Sequence, residues 1–321
     1  MFIRSLGAFL SAVTLLLPEA HAQQPAVPPL IRIVVPVSAG AINDVVARLV
    51  APKLAERLGT SVIVENRAGA NGFIGASAVA KGPNDGSMLL LYSASMISVG
   101  AITRNPSVDV VKDLQPVAGL IELPLVIAAS AKSGIKTPAE LLAVARAKPE
   151  GLTHGNGAIG GVAHIVSELL GDAGKFRLTN INYKGGAPAV QDLGAGIVDL
   201  SISTHSAVGS LVQSGRVNLV AVTSREPSSN NPNLPTMASV LPGFVHGLWI
   251  GVWTSPGTPP ALVQRYNREL LEIAKSKEIR DLVAREDGSP LSWTPEQFGA
   301  QIRNSYDQFK RVAAEKNIVL E

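Results

Sequence analysis

The chain has 321 residues, of which 46% are hydrophobic and 4% aromatic, with a formal net charge of +3 and no cysteine. Thinly spread basic residues and scarce aromatic rings argue against nucleic acid as a partner. The lack of cysteine excludes disulfides and thiolate chemistry. About 300 residues suffice for two domains, and no second apolar run approaches the length of a membrane-spanning helix.

The first 22 residues have the pattern of a secretory signal peptide. Arg4 precedes an apolar run from Leu6 to Leu17, and small residues at Ala20 and Ala22 stand where an export peptidase reads. The run is too short to span a bilayer. We therefore expect residues 1–22 to be removed and the mature chain to be exported.

Strands and helices alternate in two series along the rest of the chain. The first series is predicted as strand 31–37, helix 42–58 with Pro52 inside it, strand 61–66, helix 75–81 and strand 87–93. A long extended crossing at 116–130 leads to the second series, predicted as a helix that begins at Thr137 and Pro138, strand 152–156, helix 162–170, strand 179–184, a helix after Pro188, strand 198–203, helix 207–213 and a returning strand at 217–224. The tail is predicted as loop 226–235, strand 248–255 and helices 259–275, 278–285 and 295–315.

Two such series joined by two crossings predict an α/β fold with two lobes and a ligand cleft between them. We expect lobe 1 to comprise residues 27–124 and 226–321, and lobe 2 to comprise residues 125–225. Closure of the cleft would take place about the crossings near 125–129 and 222–226.

Three strand-to-helix turns are candidate anion sites: PVSAGAIND at 36–44, GNGAIGG at 155–161 and YKGGAPA at 183–189. Their small side chains let a ligand approach the backbone, and unpaired N–H groups at helix N-termini attract anions. Any one of them also fits an ordinary tight turn. Three turns of one type in a chain with two lobes favour an anion site in the cleft.

The segment Gly155–Gly160 also matches the dinucleotide fingerprint G-x-G-x-x-G. That fingerprint needs an acidic residue at the end of the next strand, where this chain has Tyr183, whereas Glu168 and Asp172 lie within or just after the intervening helix. His154 and His164 have no third ligand at metal-binding spacing, which argues against a metal site. The pattern G-x-S-x-G, which places a catalytic serine on a nucleophile elbow, does not occur. We expect no cofactor, no metal and no nucleophile elbow.

The sequence resembles the Bug family, the extracytoplasmic solute receptors of tripartite tricarboxylate transporters. The most specific motifs are ENRAGANGFIG at 65–75 and YKGGAPAVQDLGAGIVD at 183–199, in that order. The resemblance implies a type II-like periplasmic binding protein that closes on a small organic anion, usually a carboxylate, and delivers it to integral membrane transporter subunits. It also implies that 155–161 is the second ligand loop and that its fingerprint match is accidental.

From the turns and the resemblance together we expect ligand-binding residues in both lobes. They are Ala39, Gly40, Ala41, Asp44, Asn71, Ser93 and Ser95 from lobe 1, and Gly160, Gly161, His164, Ala187 and Ser203 from lobe 2. Asp44 is expected to order the first loop. His164 is either the one ionisable contact or a support behind the second loop. An Ala39→Asp substitution is expected to abolish anion binding without unfolding the protein.

The first loop departs from the family's usual P-G-G-P-[ST]-D, since it reads Ala39 to Asp44 as AGAIND. Ser203 stands where the family commonly has an Asp. A less acidic pocket favours a carboxylate without an amine over aspartate or glutamate. The main interpretation is a monomeric binding protein without catalysis. The alternatives are a receptor that presents its ligand to a membrane sensor, and an exported enzyme.

Overall fold

The computed structural model describes residues 26–183 and 185–320, so the expected signal peptide lies outside the described residues. Eleven strands run in chain order as β1 (Leu30–Val35), β2 (Ser61–Asn66), β3 (Met88–Ser93), β4 (Gln115–Pro124), β5 (Val126–Ser130), β6 (Leu152–Asn156), β7 (Leu178–Asn182), β8 (Leu200–Ser203), β9 (Val217–Val222), β10 (Gly247–Thr254) and β11 (Ser289–Trp293) within this part of the chain. Its ten α-helices are α1 (Ile42–Leu58), α2 (Phe73–Ala80), α3 (Ser95–Ile102), α4 (Pro138–Ala147), α5 (Val162–Gly174), α6 (Gly186–Ala195), α7 (His205–Gln213), α8 (Pro260–Ala274), α9 (Lys277–Arg285) and α10 (Pro295–Lys316).

The strands form two mixed sheets, one for each lobe. The sheet of lobe 1 has the order β11-β4-β10-β3-β1-β2, and that of lobe 2 has the order β7-β6-β8-β5-β9. The β1–β2, β1–β3, β6–β7 and β6–β8 pairs are parallel, and the pairs made by β4, β5, β10 and β11 are antiparallel. The two-lobed α/β architecture predicted from the sequence is confirmed.

Local sequence signals account for several helix boundaries. Thr137 accepts a hydrogen bond from the backbone N–H of Glu140, whose side chain bonds back to Thr137, with Pro138 at the first helical position of α4. This reciprocal cap satisfies two N–H groups that the helix leaves open. Helix α1 has the predicted bounds and contains Pro52. The start of α4 is set by neighbours in sequence, which is why the sequence alone predicts it.

The predicted single crossing at 116–130 is wrong in detail, because it is two strands in different sheets. β4 ends at Pro124 and β5 begins at Val126, so Leu125 is the point of passage. The hydroxyl of Thr223 lies 3.0 Å from the Leu125 carbonyl oxygen and 2.6 Å from that of His246. The outgoing and returning chains are therefore joined where they pass between the lobes.

Other boundaries differ for identifiable reasons. β1 stops at Val35 because Pro36 has no N–H to give the ladder. α6 begins at Gly186 and not, as predicted, after Pro188. The first N–H groups of a helix have no partner within it, so Pro188 fits in the first turn of α6 without the loss of a hydrogen bond. α7 begins at His205, two residues before the predicted start.

Two elements were not predicted. α3 is buried nearly all round, so its sequence shows no amphipathic period. β11 is a short edge strand that contains Pro290 and pairs irregularly with β4.

Helix α10 connects the lobes by packing. It contacts α3 and β4 on the side of lobe 1 and α5 on the side of lobe 2. Lys316 near its end pairs with Asp172 of α5. One apolar cluster runs from Trp253 and Phe298 to Ile165, so the two lobes share part of one core. Across residues 26–183 and 185–320, no helix is both long enough and apolar enough to cross a membrane.

Candidate functional site

The loop between β1 and α1 is ordered by Asp44. Its carboxylate accepts hydrogen bonds of 2.9 Å from the Gly40 backbone N–H, from Nε of Arg48 and from Nδ2 of Asn66. The bond from Arg48, aided by those from Gly40 and Asn66, lowers the pKa of Asp44 to about 2 against the effect of burial. A permanently charged carboxylate thus holds the loop ahead of α1. Ala41 at the N-cap has no side chain to cap the helix.

The loop between β6 and α5 is held from behind by His164. The Gly160 N–H donates to Nδ1 of His164 at 2.9 Å, and Nε2 lies 3.8 Å from Glu168. Burial lowers the pKa of His164, which favours the neutral ring that can accept this bond. Gly160 has a φ of 74°, and an added Cβ would lie 1.9 Å from Cδ1 of Ile102. The loop therefore needs glycine there.

A second buried imidazole stiffens the same region. Nδ1 of His154 lies 2.6 Å from Oδ1 of Asn180, and Nε2 lies 3.2 Å from the backbone nitrogen of Ile202. Asn180 also donates to Glu168 at 2.7 Å, which joins His154 to the support of His164. Burial lowers the pKa of His154 to about 4, so the ring stays neutral. Both histidines therefore support lobe 2 through hydrogen bonds made by neutral rings.

The loop that precedes α6 packs directly on the second loop. An added Cβ at Gly157 would lie 2.8 Å from the backbone nitrogen of Gly186. Asn156 donates to Asn182 at 2.8 Å across the strand ends. Gly185 at the N-cap offers α6 no side-chain cap. The N-termini of α5 and α6 are thereby brought side by side.

Two cavities lie where these loops meet. The first, which we call the Ser203 chamber, has a volume of about 290 Å³. Its polar side chains are those of Ser95, Asn156, Ser201, Ser203 and Thr204. Its walls include Leu125, Val162, Val190, Ile202 and Leu248. Polar groups from strand ends thus stand against an apolar lining, as in many small-molecule sites.

The second cavity, which we call the Asn71 chamber, has a volume of about 860 Å³. Its lining comes from both lobes: Pro36, Val37, Ser38, Ala41, Ala68, Gly69, Asn71, Gly72 and Tyr92 on one side, and Gly185, Gly186, Ala187 and Pro188 on the other. Gly186 lines both chambers, so they adjoin at the start of α6. None of the described residues lining either chamber is charged.

Seven of the twelve predicted site residues line a cavity. Ser95, Gly161 and Ser203 line the Ser203 chamber; Ala41, Asn71 and Ala187 line the Asn71 chamber; Gly40 lines a third cavity of about 450 Å³. Oγ of Ser203 is buried without a hydrogen-bond partner, which leaves it available to a ligand. Whether these residues contact a ligand stays a prediction.

The other five predicted residues line none of the three cavities. Asp44, Ser93 and His164 are buried, Gly160 is the turn that His164 holds, and Ala39 is exposed on the first loop. For Asp44 and His164 the structure provides the supporting roles considered from the sequence. Their direct contact with ligand stays a prediction.

Sequence reasoning missed Asn156, Ser201, Thr204 and Tyr92 as lining residues. Asn156 closes β6, Thr204 follows β8 and Tyr92 lies near the end of β3. The signal that could have found them is position, since ligands in such sheets bind outside the carboxyl ends of strands. Within the described part of the chain, no group of three His, Cys, Asp or Glu side chains is placed to hold a metal ion.

Comparison with known proteins gives consistent results. Residues 46–318 match the family described as tripartite tricarboxylate transporter family receptor. The chain is 33% identical to Protein BugT of Bordetella pertussis over 319 residues, which cover 98% of this chain and 97% of that protein.

Solved structures of periplasmic binding proteins are also similar to this chain. The R. palustris protein Rpa4515, solved with adipate, superposes with a TM-score of 0.80 at 28% identity and covers 90% of this chain and 98% of its own. MatC from Rhodopseudomonas palustris, solved with bound malate, gives a TM-score of 0.75 at 25% identity, with 88% of this chain and 98% of its own covered.

Proposed function

Since the chain belongs to the tripartite tricarboxylate transporter receptor family of periplasmic solute-binding proteins, we propose that it captures a small organic carboxylate by closing its two lobes. The captured ligand is then delivered to integral membrane subunits of a transporter. No catalysis is part of this proposal. The working form is a monomer that is exported by its signal peptide and then loses residues 1–22.

The observation that carries the proposal is the convergence of three helix N-termini without side-chain caps. α1, α5 and α6 each begin at a residue that provides no capping side chain, namely Ala41, Gly161 and Gly185. Ala41 and Gly185 line the Asn71 chamber, and Gly161 lines the Ser203 chamber beside Gly186. Open N–H groups and helix dipoles at these three ends attract a carboxylate without an arginine or lysine.

The ligand is a carboxylate without an amine. An ammonium group needs an acidic partner when it is taken out of water, and the described lining of both chambers has none. The adjoining chambers, each with its own helix N-terminus, suit a ligand with a carboxylate at both ends. Adipate and malate, the molecules bound to the two similar structures, are dicarboxylates of this kind.

Closure is proposed to turn about the joint at Leu125, Thr223 and His246. We assign residues 27–124 and 226–321 to lobe 1 and residues 125–225 to lobe 2. Membership of the two sheets supports this division, because β4 and β10 flank the joint on one side and β5 and β9 on the other.

The test is a thermal-shift panel on protein that starts at Gln23 and has been refolded to strip any bound ligand. The panel contains adipate, malate, a tricarboxylate, benzoate, aspartate and glutamate. A ligand at a hundred times its Kd adds about 2.7 kcal/mol, which raises Tm by a few degrees for a chain of this length. We expect a shift with dicarboxylates and none with the amino acids. Equal or larger shifts with aspartate would contradict the assignment.

A further inference from the structure

A turn of lobe 1 reaches across to a helix of lobe 2. Glu286 and Asp287 follow α9, and we call these two residues the clasp. The Glu286 side chain is buried, with the residue 4% exposed, and its Oε2 accepts a 3.1 Å hydrogen bond from the backbone N–H of Ser206. Ser206 is the second residue of α7, a helix of lobe 2. A carboxylate of one lobe therefore caps a helix of the other.

This cap replaces one that the local sequence does not supply. Thr204 stands at the N-cap of α7, but its side chain makes no capping hydrogen bond. The acceptor comes instead from Glu286, 80 positions further along the chain. A carboxylate at a helix N-terminus gains both a charge-assisted hydrogen bond and the favourable end of the helix dipole. A buried carboxylate that lost this partner would be penalised.

Asp287 anchors the turn that contains Glu286. Its carboxylate accepts hydrogen bonds from the hydroxyls of Ser228 and Ser229 and, at 2.9 Å, from the backbone N–H of Asn230. Its backbone has a φ of 55°, a conformation that aspartate tolerates better than most residues. The turn that contains Glu286 is thus anchored by hydrogen bonds to the loop that follows the return crossing.

The clasp lies at the rim of the proposed ligand cleft. Glu286 lines the third cavity together with Gly40 of the first ligand loop and Ser206 of α7. Thr204, the N-cap of α7, lines the Ser203 chamber. The clasp therefore lies next to the first ligand loop, next to α7 of lobe 2 and close to the Ser203 chamber.

We propose that Glu286 is a positioning residue that holds the two lobes together in the free protein. Donor and acceptor both belong to the chain, so this contact between the lobes needs no ligand. It also occupies the N-terminus of α7, so that the ligand is left with those of α1, α5 and α6. The contact between the lobes does not depend on the proposed binding function; only its role in ligand capture rests on that function.

The decisive measurement is the distance between the lobes in the free protein. The chain has no cysteine, so Glu56→Cys and Gln191→Cys place one spin label on the exposed surface of each lobe without background labelling. Double electron–electron resonance then gives the populations of open and closed forms. We expect Glu286→Ala to lower the closed-to-open ratio about tenfold, which corresponds to about 1.4 kcal/mol.

Two further variants make the result specific. Glu278→Ala removes a carboxylate from α9, the helix that Glu286 follows; Glu278 is exposed and paired with Lys53, so this variant should leave the distances unchanged. Glu286→Gln keeps an acceptor oxygen without the charge and should give an intermediate shift, which also serves if the alanine variant does not fold. Distances that are the same in wild type and in the folded Glu286 variants would overturn the proposal.

A titration with adipate separates this proposal from the proposed function. If adipate binds, we expect Glu286→Ala to weaken binding about tenfold, mainly through faster dissociation, while Glu278→Ala binds like wild type. If adipate and the rest of the acid panel fail to bind wild type, the carboxylate assignment fails, but the distances in the free protein still decide whether the clasp closes the lobes. A distance shift limited to Glu286 supports the clasp in either case.

Discussion

Replacing Ala41 by aspartate should remove ligand binding while leaving the fold intact. Ala41 is the N-cap of α1, has φ −68° and ψ 157°, and lines the Asn71 chamber. Aspartate is among the favoured N-cap residues and contributes about 1 kcal/mol relative to alanine. Asp44 carries the same charge three residues further on, which reduces that gain. We therefore expect the free energy of unfolding to stay within about 1 kcal/mol of wild type.

The effect on binding should be far larger. The new carboxylate occupies the N–H groups of α1 that the ligand would use, and it repels the ligand's own charge. Two unit charges about 4 Å apart interact by about 4 kcal/mol at an effective dielectric constant of 20. This corresponds to a thousandfold rise in Kd. Ala41→Asn, which caps the helix without a charge, should weaken binding no more than about tenfold.

Isothermal titration with whichever dicarboxylate gives the largest thermal shift measures both variants, and urea unfolding measures their stability. A folded Ala41→Asp protein that binds the acid as tightly as wild type would refute the assignment of the α1 N-terminus to the site. Loss of binding in the asparagine variant equal to that in the aspartate variant would show that N–H occupancy, and not charge, dominates. Ala39→Asp, which the sequence led us to expect to abolish anion binding, should instead weaken it less than Ala41→Asp does, since the exposed Ala39 lines neither chamber.

Three further outcomes are expected. Burial lowers the pKa of His154 to about 4, so its contribution to stability is complete above pH 6.5 and is lost as pH falls towards 4, by roughly 3 kcal/mol. The raised pKa of Glu168 acts in the opposite sense, so urea unfolding of wild type is compared with that of His154→Gln to isolate the contribution of His154. Parallel dependence of the free energy of unfolding on pH in the two proteins would contradict this prediction. Gly160→Ala should lower the free energy of unfolding by about 1–3 kcal/mol through its positive φ and the overlap with Ile102. Ile102 is itself buried, so Ile102→Ala alone should cost about 2–5 kcal/mol, and in that background Gly160→Ala should cost only the part due to φ. Ser203→Asp should weaken dicarboxylate binding at least tenfold in titration calorimetry, because it adds a negative charge to the chamber; unchanged affinity would place the ligand elsewhere.

Parts of the fold and of the candidate site were predictable because their elements are local. The three small-residue turns, the start of α4 at its Thr137 cap and the role of Asp44 ahead of α1 all follow from residues within a few positions of one another. Capping and helix periodicity act over one or two turns of chain, so their signals survive in a single sequence.

Other parts of the site depend on residues that are far apart in sequence. No short-range sequence pattern predicts that Ile102 occupies the space left by Gly160, or that Asn180 joins His154 to Glu168. Thr204 and Tyr92 lie at or near strand ends, which the sequence can indicate, but the cavities that they line form only when strand ends from two sheets face each other.

The sequence by itself determined the α/β alternation, the family and the small-residue turns at the starts of α1, α5 and α6, since these depend on residue type and short-range spacing. Only the tertiary structure decided which of those starts share a cavity, that the linings of the two chambers carry no charge among the described residues, and that Glu286 caps α7 from the other lobe. The physical reason is that a backbone N–H is the same in every residue. Its availability to a ligand or to a distant carboxylate depends on what the folded chain brings beside it, and residue identity does not record that.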